Sequence, residues 1–578
     1  GFGALVDSDS DDDTSSSAPP AEPSPAPAPA FQPPLRARAR APPAEPEVDS
    51  DAELDAAIAA AKSEAGPAPD AEATASEECV VGLEPRHFNV EAELRRVFGD
   101  TGRKPTPGRK PRAGRLRRFW LTDPEVVKPV GEAMRMEPGG MSTEGRQLFE
   151  MTYTPEYAKA DALAQEAFAT HNPEVLQEVM HQHPFHVEIM LSQANMLAGA
   201  NENEPAFEFL RVALYVLEWA FVPAFGPGST QVVKGVNLPN CALALGSEDK
   251  PQPGNMTLAK ATHMYMLALN GRGCHRTAFE VCKLLLCMFL PRDPLHALLH
   301  LDFLALRSKQ FKQLHAISRG YIRQVAQVAG GTGDLELAAV LPSFAYSTGL
   351  GRFLEVETTL ASVTEVTVEH LVDDQVPEHL EAHTRLLRAI LAFPEVVPCL
   401  LEAIAAPVSA PVRGSLFLGL TWQEMFQSPP FSDADSFPRK SREVLETLGK
   451  AYAARTGILF KGEECQRWLH TCSAHAAKLA VATGCAEARA RWAQESSCLW
   501  VLDEYKDVLL AEFTDANNVF PAAVRDGARR GRGEDGPPPQ VWDREAIEQI
   551  LAGLAGNEDE AEVNAVLEDL YMQGMLPE

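Results

Sequence analysis

From Thr154 onward, apolar positions recur at three and four residues with polar positions between them, the signature of helices that bury one face. Phe207, Leu210, Leu214, Leu217 and Phe221 place such a face on a helix over 205–221. The same period predicts helices over 157–171, 174–181, 185–197, 258–270, 276–289, 295–307 and 311–328, and again over 441–456, 465–482 and 485–513. Asn172 before Pro173 reads as a cap followed by a first-turn proline. Strand-like alternation is scarce, and 363–368 is its nearest approach.

One step repeats: an apolar helix, an X-Pro, then another apolar helix. It occurs at His183-Pro184, Asp293-Pro294 and Phe393-Pro394. Proline there ends one helix and presets the next, as in stacked helical hairpins. The strict tetratricopeptide consensus is not met. The expected fold class is therefore all-α, a TPR-like degenerate α-solenoid of helical hairpins behind a disordered acidic N-terminal tail.

Composition divides the chain into five parts. Residues 1–78 are rich in Pro, Ala, Ser and acid, with 17 Asp and Glu against 4 Lys and Arg. Such a stretch cannot bury enough apolar area to offset its ordering entropy, so it reads as disordered, with only 51–63 able to form a transient helix. Residues 79–150 form an anchor segment with a basic loop. Residues 151–425 are the first part of the solenoid, with 226–255 as a Gly/Pro/polar loop insert and 428–442 as a second break beyond it. Residues 440–522 form a C-terminal helical part, and 523–578 a linker and an acidic amphipathic helix.

Charge sharpens this picture at one place. The chain carries a formal −29, which argues against general nucleic-acid coating. Yet 86–118 holds eleven Arg and Lys against three acids, a net +8. Its densest part is broken by Pro105, Pro107, Gly108, Pro111 and Gly114 and reads as an extended loop suited to a phosphate backbone or an acidic protein. Just before it, Glu84-Pro85-Arg86-His87-Phe88-Asn89 leads into a short helix with Asn89 as cap, Leu94, Val97 and Phe98 as its apolar face, and Gly99 as stop. The candidate partner-binding residues are Arg86, His87, Phe88, Arg95, Arg96, Arg112, Arg115, Arg117, Arg118, Trp120 and His186.

Signals for other chemistry are weak. No apolar run reaches the length of a membrane span, and the first residues lack the order of a signal peptide. Ten cysteines without a C-x-x-C, three of them (Cys274, Cys282, Cys287) in an apolar helical stretch, read as buried inert thiols of a reducing compartment, cytosol or nucleus. His181, His183 and His186 are compact enough to suggest a metal, but Pro184 breaks the run and they read as structural. Gly271-Arg272-Gly273 lacks the Lys-Ser/Thr of a phosphate cradle, and the pairs Asp373-Asp374 and Glu463-Glu464 read as solvated. No catalytic set, cofactor or metal is expected.

Several blocks together resemble one family, the transcription-factor-25-like proteins, also called ribosome quality control complex subunit 1. They are the segment from Glu84 to Gly99; Trp120-Leu121-Thr122; His183-Pro184-Phe185-His186-Val187-Glu188; Gly273-Cys274-His275-Arg276-Thr277-Ala278-Phe279-Glu280 with Asp293-Pro294; and Asp302-Phe303-Leu304-Ala305-Leu306-Arg307. Weaker echoes are Leu341-Pro342-Ser343-Phe344 and Phe393-Pro394 with Leu400-Leu401-Glu402, so the likeness runs collinearly from Glu84 to about Ala511. The resemblance implies a non-enzymatic adaptor on the large (60S) ribosomal subunit, cytosolic or partly nuclear. Its implied partners are a listerin-type E3 ubiquitin ligase, a nascent-chain-binding cofactor, ubiquitin and an AAA+ segregase, with ribosomal RNA met through the basic loop. The family's lysine-rich tract upstream of the His-Phe-Asn block is absent; that region here is acidic with only Arg36, Arg38 and Arg40. The family's aromatic/Arg-rich segment before the Gly-Cys block is replaced by a polar, Pro-containing loop near 242–255. Competing readings are a transcriptional co-repressor or chromatin scaffold, against which stands the lack of a recognition-helix motif, and a hydrolase whose residues converge only in the fold.

Overall fold

Several helices of this chain begin where a side chain takes up the orphan amides of a first turn, as the computed structural model shows. It describes residues 76–98, 119–122, 132–170, 172–244, 252–356, 358–373, 376–497, 503–514 and 520–521. Of the tail expected over 1–78, residues 1–75 lie outside the described residues, as do the basic loop over 103–118, the linker and the C-terminal acidic helix, whereas 77–78 are not disordered but form a short strand.

In chain order the elements are β1 (Glu77–Glu78), α1 (Val90–Phe98), β2 (Met134–Met141), β3 (Gln147–Tyr153), α2 (Pro155–Ala169), α3 (Pro173–Gln182), α4 (Val187–Gly199), α5 (Asn203–Trp219), β4 (Gly226–Val233), β5 (Val236–Asn240) and β6 (Ala242–Leu243). Then follow α6 (Pro253–Gly271), α7 (His275–Phe289), α8 (Leu298–Arg307), α9 (Phe311–Ala329), α10 (Leu337–Val340), α11 (Pro342–Glu355), α12 (Val368–Val372), α13 (Glu378–Ala392), α14 (Val396–Ala403), α15 (Trp422–Met425), α16 (Arg442–Thr456), α17 (Glu463–Ala480) and α18 (Cys485–Glu495). Thr154 caps α2 and Asn172 caps α3 through Glu174 N and Val175 N, each with proline as the first helical residue. Gly330 closes α9 with a left-handed φ of 87°, a conformation that costs a side chain but not glycine.

From α4 to α9 each helix packs on the next in sequence, the expected solenoid-like stacking. The chain then doubles back: α11 packs on α9, α13 and α16, and α14 on α16. One apolar cluster runs from Val81 through Phe279, Leu304 and Trp468 to Phe513. A small satellite of Ala160, Ala164, Val179 and Ile189 joins α2, α3 and α4. The three X-Pro steps fall at the α3–α4, α7–α8 and α13–α14 joints, as predicted.

Four readings are corrected. Of the stretch 226–255, expected as a loop insert, residues 226–243 carry strands: β4 and β5 form an antiparallel pair, β5 pairs with β1, and β6 adds to a second sheet of order β2-β3-β6. Residues 363–368 are not a strand. A 3-10 turn (Leu360–Glu365) leads into α12, whose start is fixed by a bond from Thr367 N to His370 Nδ1. The helix expected from 295 begins at Leu298, because the Asp293 carboxylate accepts from Ala297 N and Leu298 N at 2.8 Å each and sets the first turn there. The helix expected over 485–513 ends at Glu495, and 510–513 is a separate 3-10 turn.

Candidate functional site

Every residue of α7 from Arg276 to Phe289 is buried, as its all-round apolar sequence requires. That burial includes Arg276, Glu280 and Lys283, spaced four and three apart and therefore on one side of the helix. Buried charges need partners. Glu280 bridges Arg276 at 3.1 Å and Lys283 at 3.0 Å. Burial still pushes the Glu280 carboxyl upward against both cations.

The remaining partners come from the N-terminal segment, which straps across α7. Lys283 Nζ donates to Gly82 O at 2.8 Å, and Glu84 N donates to Glu280 Oε2 at 3.0 Å. Arg276 reaches Glu84 at 3.0 Å, and Gln313 donates to the same carboxylate. Burial alone would raise Glu84; the Arg86 hydrogen bond and the Arg276 charge outweigh it and hold the carboxyl at about 2. Further along, Glu93 of α1 accepts from Arg276 N and Thr277 N at 2.8 and 2.7 Å. One helix thus supplies the N-terminal cap of another, where a carboxylate also meets the positive end of the dipole. At the strap's start, Gln324 exchanges bonds with Val80 N and Glu78 O.

A second contact pins Phe119–Thr122. Glu218, fully buried on the apolar side of α5, accepts from the amides of Trp120, Leu121 and Thr122 at 2.7–2.9 Å and from the Thr122 hydroxyl. Burial pushes this carboxyl to about 7, with the four donors pulling the other way. Trp120 meets Phe88 edge-on at 5.3 Å and stacks on Phe221, so the two ends of the strap share one aromatic cluster.

These contacts sort the sequence-predicted residues. Phe88 and His186 lie inside the molecule, at 2% and 1% exposure. Phe88 serves the aromatic cluster. His186 caps α4 at Ile189 N and stacks on Tyr157, and burial lowers it to about 4. Trp120 is half-buried in the same cluster as Phe88. His87 is lowered to about 4 by burial and by the Arg276 charge; it is neutral, with Nε2 accepting from Arg86. Arg86, Arg95 and Arg96 face outward at 68%, 54% and 63% side-chain exposure, held only by acids of their own segment, Glu84, Glu91 and Glu93. Arg112, Arg115, Arg117 and Arg118 lie outside the described residues. Asn89 does cap α1, accepting from Ala92 N at 3.0 Å. Of the apolar face expected for α1, Leu94 packs against the core, but Val97 is half exposed, and Glu93, not part of that face, is buried.

Sequence reasoning missed Glu84, Glu93, Glu218, Glu280, Lys283 and Gln324. A signal existed for some of them. Glu218 stands four residues after Leu214, within the apolar stripe of α5, and the charges of α7 interrupt an otherwise apolar helix. An acid in such a place needs donors from elsewhere in the chain.

The arrangement is a helical body with a strap that presents arginines to solvent, immediately before the basic stretch. Residues 149–533 match the family model described as "Transcriptional repressor TCF25". The human protein named "Ribosome quality control complex subunit TCF25" is 26% identical over 520 residues, covering 87% of this chain and 68% of that protein. The mouse protein of the same name is 28% identical over 405 residues, 68% of this chain and 52% of its own length. The fission yeast (Schizosaccharomyces pombe) "Ribosome quality control complex subunit 1" is 26% identical over 246 residues, 42% of this chain and 35% of that protein. None of these names is an enzyme's. No solved structure matches the chain. The match spans the helical body from β3 onward, so the resemblance drawn from the collinear blocks holds: the chain belongs to the Tcf25 family.

Proposed function

We propose that the chain is a non-enzymatic adaptor in ribosome-associated quality control, working on stalled large (60S) ribosomal subunits. In this reading it acts with a listerin-type E3 ligase and a nascent-chain-binding cofactor. It promotes ubiquitination of the nascent chain in the linkage that marks it for the proteasome, and helps an AAA+ segregase extract it. The observation that carries the reading is family membership across the helical body, with relatives named as subunits of that complex. In this reading the strap offers a mode of contact. Glu84 and Glu93 hold the strap to α7, while Arg86, Arg95 and Arg96 face solvent, each paired with an acid of the strap itself, and lead into a stretch without an acid from Arg103 to Arg118. A cationic face of this kind suits ribosomal RNA, whose binding releases counterions and falls steeply with salt.

The test is fractionation of cells with stalled translation on a sucrose gradient, followed by identification of what co-purifies with the tagged protein. Recovery with 60S particles and a ubiquitin ligase is expected. Replacing Arg112, Arg115, Arg117 and Arg118 by Gln should weaken particle association and flatten its salt dependence. The family's description as a transcriptional repressor supports a second reading, a nuclear co-repressor or chromatin-associated scaffold. Recovery with chromatin and without 60S particles would favour it and sink the first.

A further inference from the structure

The loop between α14 and α15 is framed from beneath and presents two leucines to water. A backbone bridge between Pro411 and Thr421 closes its base, and Gly414 and Gly419 turn it at left-handed φ of 77° and 99°. Ser415 is buried and bonds to His470 at 2.7 Å and to Thr471 at 3.2 Å, both buried on α17. His470 also meets Leu420 O at 3.0 Å. Phe417 packs inward against the core, with Lys478 of α17 at 4.2 Å from its ring centroid. Leu416 and Leu418, on either side of Phe417, are left outside at 45% and 77% exposure. No large apolar side chain among the described residues is more exposed than Leu418. The surroundings are cationic. Arg413 and Lys478 are exposed and have no carboxylate partner among the described residues. Arg467, close against Gly414, meets Glu463 at 3.8 Å.

A leucine held in water by a fixed frame forgoes apolar burial. It also binds with little further ordering, because its frame is complete before an occupant arrives. The occupant that fits is apolar on one face and acidic beside it. The chain contains such a segment. Val563, Val566, Leu567 and Leu570 fall at i, i+3, i+4 and i+7, one face of a helix, with Glu562 and Asp569 along its edge. Residues 545–578 hold nine Asp and Glu and no Lys, Arg or His. They lie outside the described residues. The 40 residues between Pro521 and Glu562, at up to about 3.3 Å each, reach any face of a folded body of this size. We propose that Leu416 and Leu418 form the docking site of this chain's own segment 562–571, an amphipathic helix whose apolar face covers the two leucines while Glu562 and Asp569 face Arg413 and Lys478. On a chain of formal charge −29, most other surface would repel so acidic a segment.

The test is hydrogen exchange, read by mass spectrometry on the purified full chain. Amides of 562–571 should exchange at least about tenfold more slowly than in the same segment made as a free peptide. Leu416→Ser together with Leu418→Ser should abolish that protection, with exchange over 465–475 unchanged as evidence that the frame is intact. Arg413→Gln together with Lys478→Gln should weaken the protection and remove its dependence on salt. A p-benzoylphenylalanine placed at 418 and irradiated in a mixture of 14N and 15N chains should cross-link to 562–571 of the same chain. Absence of protection in the full chain, or protection that survives the leucine variant, overturns the proposal. Cross-links between labelled and unlabelled chains assign the leucines to a second copy, and cross-links to another segment of the same chain assign them to that segment; either result overturns it as well.

Discussion

At the scale of single residues, the structure turns on acids placed where they look wrong. Glu218 sits on the apolar side of α5 and gathers four donors from Trp120–Thr122. Glu218→Gln replaces one acceptor oxygen by an NH2 facing donors, and should cost about 1–3 kcal/mol in chemical unfolding. The loss should appear first as faster amide exchange at 120–122. Glu93 caps α7 from another helix, so Glu93→Ala should cost about 1–2 kcal/mol, whereas Glu91→Ala on the exposed side of the same turn should stay within about 0.5 kcal/mol. Equal losses from the two would mean that the cap contributes nothing. His186 teaches the complementary lesson: a histidine in a suggestive cluster is spent on capping and stacking.

At the scale of elements, what was legible was what is local. Helices, their proline joints and the Asn89 and Asn172 caps follow from periods and spacings of a few residues, and most appear within a few residues of where the pattern puts them. The strands were illegible for a physical reason. β2 contains Pro138, Gly139 and Gly140, and β5 contains Pro239, so neither shows strand propensity. They are held instead by tertiary contacts: Asn255 of α6 donates to Phe149 O and Ala244 O and accepts from Met151 N. The strap was legible as a motif and not as a docked element, because its partners lie 183 to 246 residues away. The α6–β3 contact is close enough to test. A Cβ on Gly254 would fall 2.3 Å from Met151 O, while one on Gly271 at the far end of the same helix meets nothing. Gly254→Ala should therefore destabilise by roughly 1–3 kcal/mol through overpacking. Gly271→Ala should be neutral or stabilise by up to about 1 kcal/mol. Thermal unfolding of the two variants should shift in opposite directions or leave only Gly254→Ala impaired.

At the scale of the whole molecule, burial makes the fold acid-sensitive. His87, His186, His263, His275, His315 and His383 are all lowered to about 4, burial being the first cause in each. Between pH 6.5 and 4 the unfolded chain therefore binds protons at these sites that the folded chain does not, and stability falls as pH drops. Asp161, Glu218 and Asp293, raised to about 6, 7 and 7, act in the opposite sense over the same window. The lowered histidines outnumber these raised acids, so the net effect is a loss of stability as pH falls through this window. Urea midpoints measured from pH 7 to 5 should fall accordingly; a flat profile would show that these histidines are hydrated. The strap carries a consequence of another kind, in time rather than energy. Glu78 leaves the ribosome long before Gln324 exists, and the 246 residues between them take roughly 10–50 s to synthesise at about 5–20 residues per second. During every round of its own translation, this chain spends most of that interval with Glu84 and Glu93 still without the helix they hold, and its outward arginines emerge beside ribosomal RNA before the fold that steadies them has been made.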